Sequence, residues 1–263
     1  MRRNMPLAKM QLRAILILWV LYRVAAPGAF ADEPQDGAAV LRAMHDRYAN
    51  NWYDTLTFQQ DSITRHPEGK DSSEIWYEYL QLPGKLRIDV GQPQSPNLRL
   101  IADNTFTRVE NNEIKASRPF THLLLVLGFD VYKQPVDTTI AQLKGQGVDL
   151  SKVHSDTWEG KPVFVVGADK GDLKSKQFWI EKERLLFLRL IEPDRQDRTK
   201  TNDTRFSDYR QFSPGFVAAR VDFYVDGQNV FSEVYSDIRV NPKIDPAFFD
   251  PRQFKPEQPE RKP

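Results

Sequence analysis

A chain of 263 residues without a single cysteine must draw any reactive chemistry from histidines, carboxylates and hydroxyls. There are four histidines, His45, His66, His122 and His154. No two of them stand at metal-ligand spacing, and no thiolate can complete a set. His154-Ser155-Asp156 holds the residue types of a hydrolase triad, but neighbours on a strand point to opposite faces and cannot relay a proton. The chain has no G-x-S-x-G nucleophile elbow and no phosphate-binding glycine loop; Gly145-Gln146-Gly147 is two glycines in a loop. Asp194 and Asp197, with basic neighbours, read as a solvated loop. Whether carboxylates distant along the chain meet in space is left open. The expectation is no catalytic residue, no metal, no cofactor and no enzyme.

The stronger signal is apolar and aromatic: sixteen Phe, nine Tyr and five Trp. In Ile75 to Val90, two alternating runs meet at Pro83-Gly84. Leu86, Ile88 and Val90 share one face, and Lys85, Arg87 and Asp89 the other, the period of a half-buried strand. Pro119 to Phe129 is the densest apolar cluster outside the N-terminal segment. Pro119 suits a first helical turn and Gly128 a stop, so a short helix is expected there. A helix apolar nearly all round must bury both sides, as a lid over a curved sheet would.

The remaining elements frame these two. Leu41, Met44, Tyr48 and Trp52 form one stripe of a helix over Ala38 to Trp52, with Asp36 as N-cap. A second short helix is expected over Asp137 to Leu143. Strands are expected at 56–63, 98–102, 105–110, 150–157, 162–167, 175–181, 185–191, 204–212, 216–225 and from Val230 onward. Asp226-Gly227 is the strongest hairpin turn among them. Long crossover helices are absent. The fold class is therefore mainly β: a twisted, partly closed antiparallel sheet of about eleven to twelve strands, with an N-terminal helix and a short helical insertion.

The first 31 residues read differently. Arg2, Arg3, Lys9 and Arg13 precede a short apolar run from Ala14 to Tyr22, and Ala29-Phe30-Ala31 is a small-x-small site, the pattern of a secretory signal peptide. The run is too short to span a bilayer. Residues 32–254 are expected to form one domain, and the proline- and charge-rich 255–263 a disordered tail. Without the first 31 residues, which carry five basic and no acidic side chains, 32 basic face 36 acidic residues, a net charge of −4. Such a balance argues against nucleic-acid binding. With no cysteine to acylate, the exported chain should be soluble and not lipid-anchored.

The order of these parts resembles the LolA-like family of periplasmic lipoprotein carriers. Leu56-Thr57-Phe58-Gln59-Gln60 is similar to its first strand, and Leu82-Pro83-Gly84-Lys85-Leu86-Arg87-Ile88 to its Arg-Pro-Gly-Lys-φ-Arg-φ hairpin. Ile101-Ala102-Asp103-Asn104 to Phe106 stands where the family has a short strand turn, and Pro119 to Leu127 matches its following helix. Tyr209, Gly215 and Ile238-Arg239-Val240-Asn241-Pro242 with Phe248 or Phe249 resemble its end. The resemblance implies an unclosed antiparallel half-barrel with a helical lid over an apolar cavity. It further implies a soluble periplasmic monomer that carries acyl chains of a lipoprotein or lipid, without catalysis, between transfer proteins of the inner and outer membranes. The implied contacts are Trp76, Leu82, Leu86 and Ile88 from the hairpin, and Phe120, Leu123, Leu124, Leu125, Leu127 and Phe129 from the lid. In the lipoprotein carrier proper an Arg before the hairpin proline is associated with holding the lid; this chain has Leu82 there. An envelope sensor or binding module that recognises a protein partner is the alternative for the same fold, and a small hydrolase the third reading.

Overall fold

The structure, a computed structural model, describes residues 33–256. The segment 1–31, expected to be a signal peptide, and the tail beyond Pro256 lie outside the described residues.

The chain opens with helix α1 (Gly37–Tyr48), capped by the Asp36 carboxylate, which accepts from the Ala39 N–H at 2.7 Å. Its Val40, Leu41, Met44 and Tyr48 are buried. At Gly37 the backbone lies against the sheet so closely that a Cβ would meet Val166 Cγ1 at 2.3 Å. The Gly37 N–H donates to Leu150 O there at 2.8 Å.

A first meander follows: β1 (Thr55–Thr64), β2 (Ser72–Gln81), β3 (Lys85–Val90), β4 (Leu98–Ala102), β5 (Thr105–Glu110) and β6 (Glu113–Pro119). The insertion comes next, with α2 (Leu123–Gly128), a 3-10 turn at Asp130–Tyr132 and α3 (Val136–Gly145). The second meander is β7 (Val153–Trp158), β8 (Lys161–Val166), β9 (Gln177–Glu181), β10 (Phe187–Pro193), β11 (Thr201–Gln211), β12 (Phe216–Val225) and β13 (Gln228–Val240). A 3-10 turn at Pro246–Phe249 and the two-residue β14 (Lys255–Pro256) close the described chain.

Among the described residues all fourteen strands join one sheet, in the order β14-β6-β5-β4-β3-β2-β1-β13-β12-β11-β10-β9-β8-β7. Pairing is antiparallel throughout except for β14, which runs parallel to β6. The two meanders thus meet at β1 and β13, and the insertion spans between their far edges without closing the sheet into a barrel. Register slips on β1/β13, β5/β6, β9/β10 and β12/β13 mark irregularities of the kind that bend and twist a sheet. One face carries the main core, where α1, the insertion and the inward residues of both meanders pack together. The other face holds two smaller clusters. One is centred on Leu98, Leu100, Val109 and Phe249, and the other on Val163, Val165, Trp179 and Leu188.

The expected class, a half-barrel with an N-terminal helix and helical insertion, is the observed one. Two strands go beyond the expected count. β6 buries neither face well, so it has no apolar alternation to read. β14 is only two residues long and falls in the segment expected to be disordered. Pro119 does not start the helix. It ends β6, opposite Thr105, and the following Phe120 N–H stays on the sheet, donating to Asn104 O at 2.8 Å. The helix begins only at Leu123, where His122 Nδ1 accepts the Leu125 N–H at 3.2 Å as an N-cap.

Candidate functional site

Alternation on β2, β3, β12 and β13 turns every second side chain toward the insertion. β2 supplies Trp76, Glu78 and Leu80, β3 supplies Leu86 and Ile88, and β4 supplies Arg99. Phe206, Phe223, Phe231, Glu233 and Tyr235 come from β11 to β13. The insertion covers them with His122, Leu124, Leu125 and Phe129. Between these walls lies a cavity of about 280 Å³. Its lid approaches the wall closely at Gly128, where a Cβ would stand 3.0 Å from Phe206 Cε1.

Six of the residues that the family resemblance assigned to the ligand stand in this wall: Trp76, Leu86, Ile88, Leu124, Leu125 and Phe129. The other four do not. Leu82, at the hairpin turn, and Leu123 and Leu127 on α2 are buried in the main core; a helix can turn only part of its circumference to a cavity. Phe120 leaves the wall to pack edge-on against Phe106, with Arg118 over its ring at 4.9 Å.

Sequence reading missed a polar layer in the same wall, formed by Glu78, Arg99, Glu233 and Tyr235. Its members lie on three strands of both meanders, and only the sheet order brings them together. Burial pushes the Glu78 carboxyl well above the usual range; the charge of Glu233 pushes the same way, and Arg99 opposes it. Glu233 keeps some surface toward the cavity but is otherwise enclosed. Desolvation raises it to about 7, against hydrogen bonds from Tyr235 and Gln60. The Tyr235 hydroxyl donates to Glu233 Oε2 at 2.6 Å. The Arg99 guanidinium lies 4.6 Å from the centre of the Trp76 ring, and its Nη1 is buried with no hydrogen-bond partner. His122 is enclosed beside the cavity, and desolvation lowers it to about 4, so it stays neutral and able to cap α2.

The His154-Ser155-Asp156 triplet does not assemble. His154 Nε2 stands 3.9 Å from Asp156 Oδ2 on one side of β7. The Ser155 hydroxyl turns the other way to Glu33, and Lys182 donates to it. Among the described residues no group of three histidines, aspartates or glutamates is placed to hold a metal, and no helix is long and apolar enough to cross a membrane.

Solved structures share this fold. A DUF1329 family protein from Desulfovibrio piger superposes with a TM-score of 0.54 at 14% identity, covering 83% of this chain and 98% of that one. A protein from Vibrio parahaemolyticus described as an outer membrane lipoprotein-sorting protein domain superposes with a TM-score of 0.51 at 14% identity, over 82% and 97% of the two chains. At such identities the likeness is one of fold. No protein-family model and no curated protein sequence matches the chain.

Proposed function

We propose that the chain is a non-enzymatic periplasmic carrier that holds an acyl chain of a lipoprotein or lipid between half-barrel and lid, and hands it from one membrane to another. One observation carries the reading: an apolar cavity whose floor is sheet (Leu80, Leu86, Ile88) and whose roof is a short helix (Leu124, Leu125) that the sheet does not need for its own pairing. Each buried methylene favours transfer from water by about 0.8 kcal/mol, so one enclosed chain lets a soluble protein compete with a bilayer. The space is about 280 Å³ and partly open to solvent. That is roughly twice a cavity of about 150 Å³ that holds one benzene ring. In this form it suits one acyl chain rather than the several chains of a lipoprotein. The fold shared with a lipoprotein-sorting domain supports the same role. Native mass spectrometry of the exported chain, before and after incubation with phospholipid vesicles, tests it. Bound lipid that exchanges with the vesicles is expected; a chain that stays empty at every lipid concentration overturns the reading.

The pair Glu78 and Glu233 favours one other reading, a hydrolase with a carboxyl dyad. It requires turnover of an ester or glycoside that Glu233→Gln abolishes.

A further inference from the structure

The unpartnered arginine in the cavity wall narrows what that cavity takes. Arg99 is half-buried, and the two fully buried arginines described here, Arg87 and Arg189, each meet a carboxylate. Arg87 Nε donates to Asp89 at 2.8 Å, and Arg189 Nε to Asp203 at 2.7 Å. Arg99 has no such pair among the described residues; its neighbour is the Trp76 face, and Nη1 is left buried and unbonded. A guanidinium donor withdrawn from water without an acceptor is costly, and a guanidinium matches the paired oxygens of a carboxylate or phosphate. The two nearby carboxyls do not supply that acceptor. Arg99 Nη1 bonds neither of them, and Tyr235 takes Oε2 of Glu233. Away from this polar layer the wall is apolar, from Leu80 and Leu86 to Leu124, Leu125 and Phe129.

Resting on the carrier reading, we propose that the preferred cargo is a single-chain amphiphile with an anionic oxygen headgroup, a carboxylate or a phosphate monoester. Its headgroup sits on Arg99 beside Trp76, and its chain runs under α2. A neutral chain of equal length fills the same apolar space but leaves Arg99 unsatisfied.

Titration calorimetry with dodecanoate, dodecyl phosphate and dodecan-1-ol tests this on the exported chain and on Arg99→Gln and Arg99→Lys. The wild type is expected to bind at least one of the two anions about 10- to 100-fold more tightly than the alcohol, the range of a charge-assisted hydrogen bond; which anion leads separates a fatty acid from a phosphate ester as the source. Arg99→Gln should erase the preference by loss of anion affinity, while Arg99→Lys keeps the charge and part of the preference. The lysine variant guards against a misfolded glutamine variant. Equal affinity of the wild type for all three ligands overturns the anionic headgroup but leaves the carrier reading standing. A preference that survives in Arg99→Gln removes Arg99 as its seat. Binding of none of the three overturns headgroup and carrier together.

Discussion

The backbone N–H of Gly84, at the tip of the β2–β3 hairpin, donates to Asp130 Oδ1 at 2.9 Å. This bond ties the hairpin directly to the insertion. Leu82, two residues before Gly84, contributes only packing and a backbone N–H to Asp54 O at 2.8 Å. A second tie runs from Lys133 Nζ to Asp54 Oδ1 at 2.8 Å.

Asp130→Ala should therefore loosen the lid and leave the sheet folded. It strands the Gly84 N–H, at a cost of about 1–3 kcal/mol. Hydrogen exchange is expected to speed up at Leu125 to Phe129 and to stay unchanged in β12 and β13. Equal exchange in both proteins would mean the bond does not hold the lid. Desolvation pushes Asp130 up to about 7. Since an ionised carboxylate is the stronger acceptor, the tie tightens as pH rises through 7.

Two leucines one turn apart on α2 should respond differently. Leu124 faces the cavity, whereas Leu127 is fully buried in the core. Leu124→Asp should cut lipid binding more than 10-fold with little change in melting temperature. Leu127→Asp should cost at least about 3 kcal/mol of stability, as an unpaired buried charge does. Urea unfolding and lipid titration of both variants check this. Equal stability loss in the two would deny the division of the helix between cavity and core.

Glu233 gives a pH prediction. Its folded value is raised from 4.5 to about 7, so the native state binds more protons than the unfolded chain between those pH values. The stability this group contributes is complete below about 4.5 and is lost as pH rises through 7. Glu233→Gln should therefore gain on the wild type over that window, by up to about 3 kcal/mol if the whole shift is realised. Denaturant midpoints at pH 5 and pH 8 would reveal it; parallel curves would place Glu233 in a wetter setting. Glu78, Arg99 and Tyr235 face the same group, so Tyr235→Phe, which removes a hydrogen bond to the ionised form, should raise the transition further.

Gly37→Ala tests the seat of α1. The added Cβ has Val166 Cγ1 at 2.3 Å and Leu150 O at 3.3 Å, with Val166 held in a paired strand. Overpacking of this kind costs about 1–3 kcal/mol. A melting temperature equal to wild type would show that α1 can slide.

The parts of this molecule legible in sequence share a cause. Ile88 alternates with charged neighbours, and Asp36 precedes an apolar stripe; both signals are local, and both elements formed. Leu124 and Leu127 stand in one unbroken apolar run, and only the three-dimensional path of α2 sends one to the cavity and the other to the core. Glu78, Arg99 and Glu233 lie on solvent-like, charge-rich strand positions. They become a buried polar layer because β13 returns to pair with β1, a contact separated by most of the chain. Pro119 misled because its composition fits a helix start, while the Phe120 hydrogen bond to Asn104 keeps it on the sheet.

The insertion is pinned on both sides of α2. Phe120 is bonded to Asn104 at one end. At the other, Tyr132 is fully buried, lies tilted against Trp52 with ring centres 4.1 Å apart and accepts the Phe187 N–H at 3.0 Å. A six-residue helix between two fixed bearings has no free tip to swing. A roll about the line joining them would carry Leu124 away from the cavity. Under the carrier proposal, release would resemble a roller turning in its mount, with the chain drawn out along the trough beneath it.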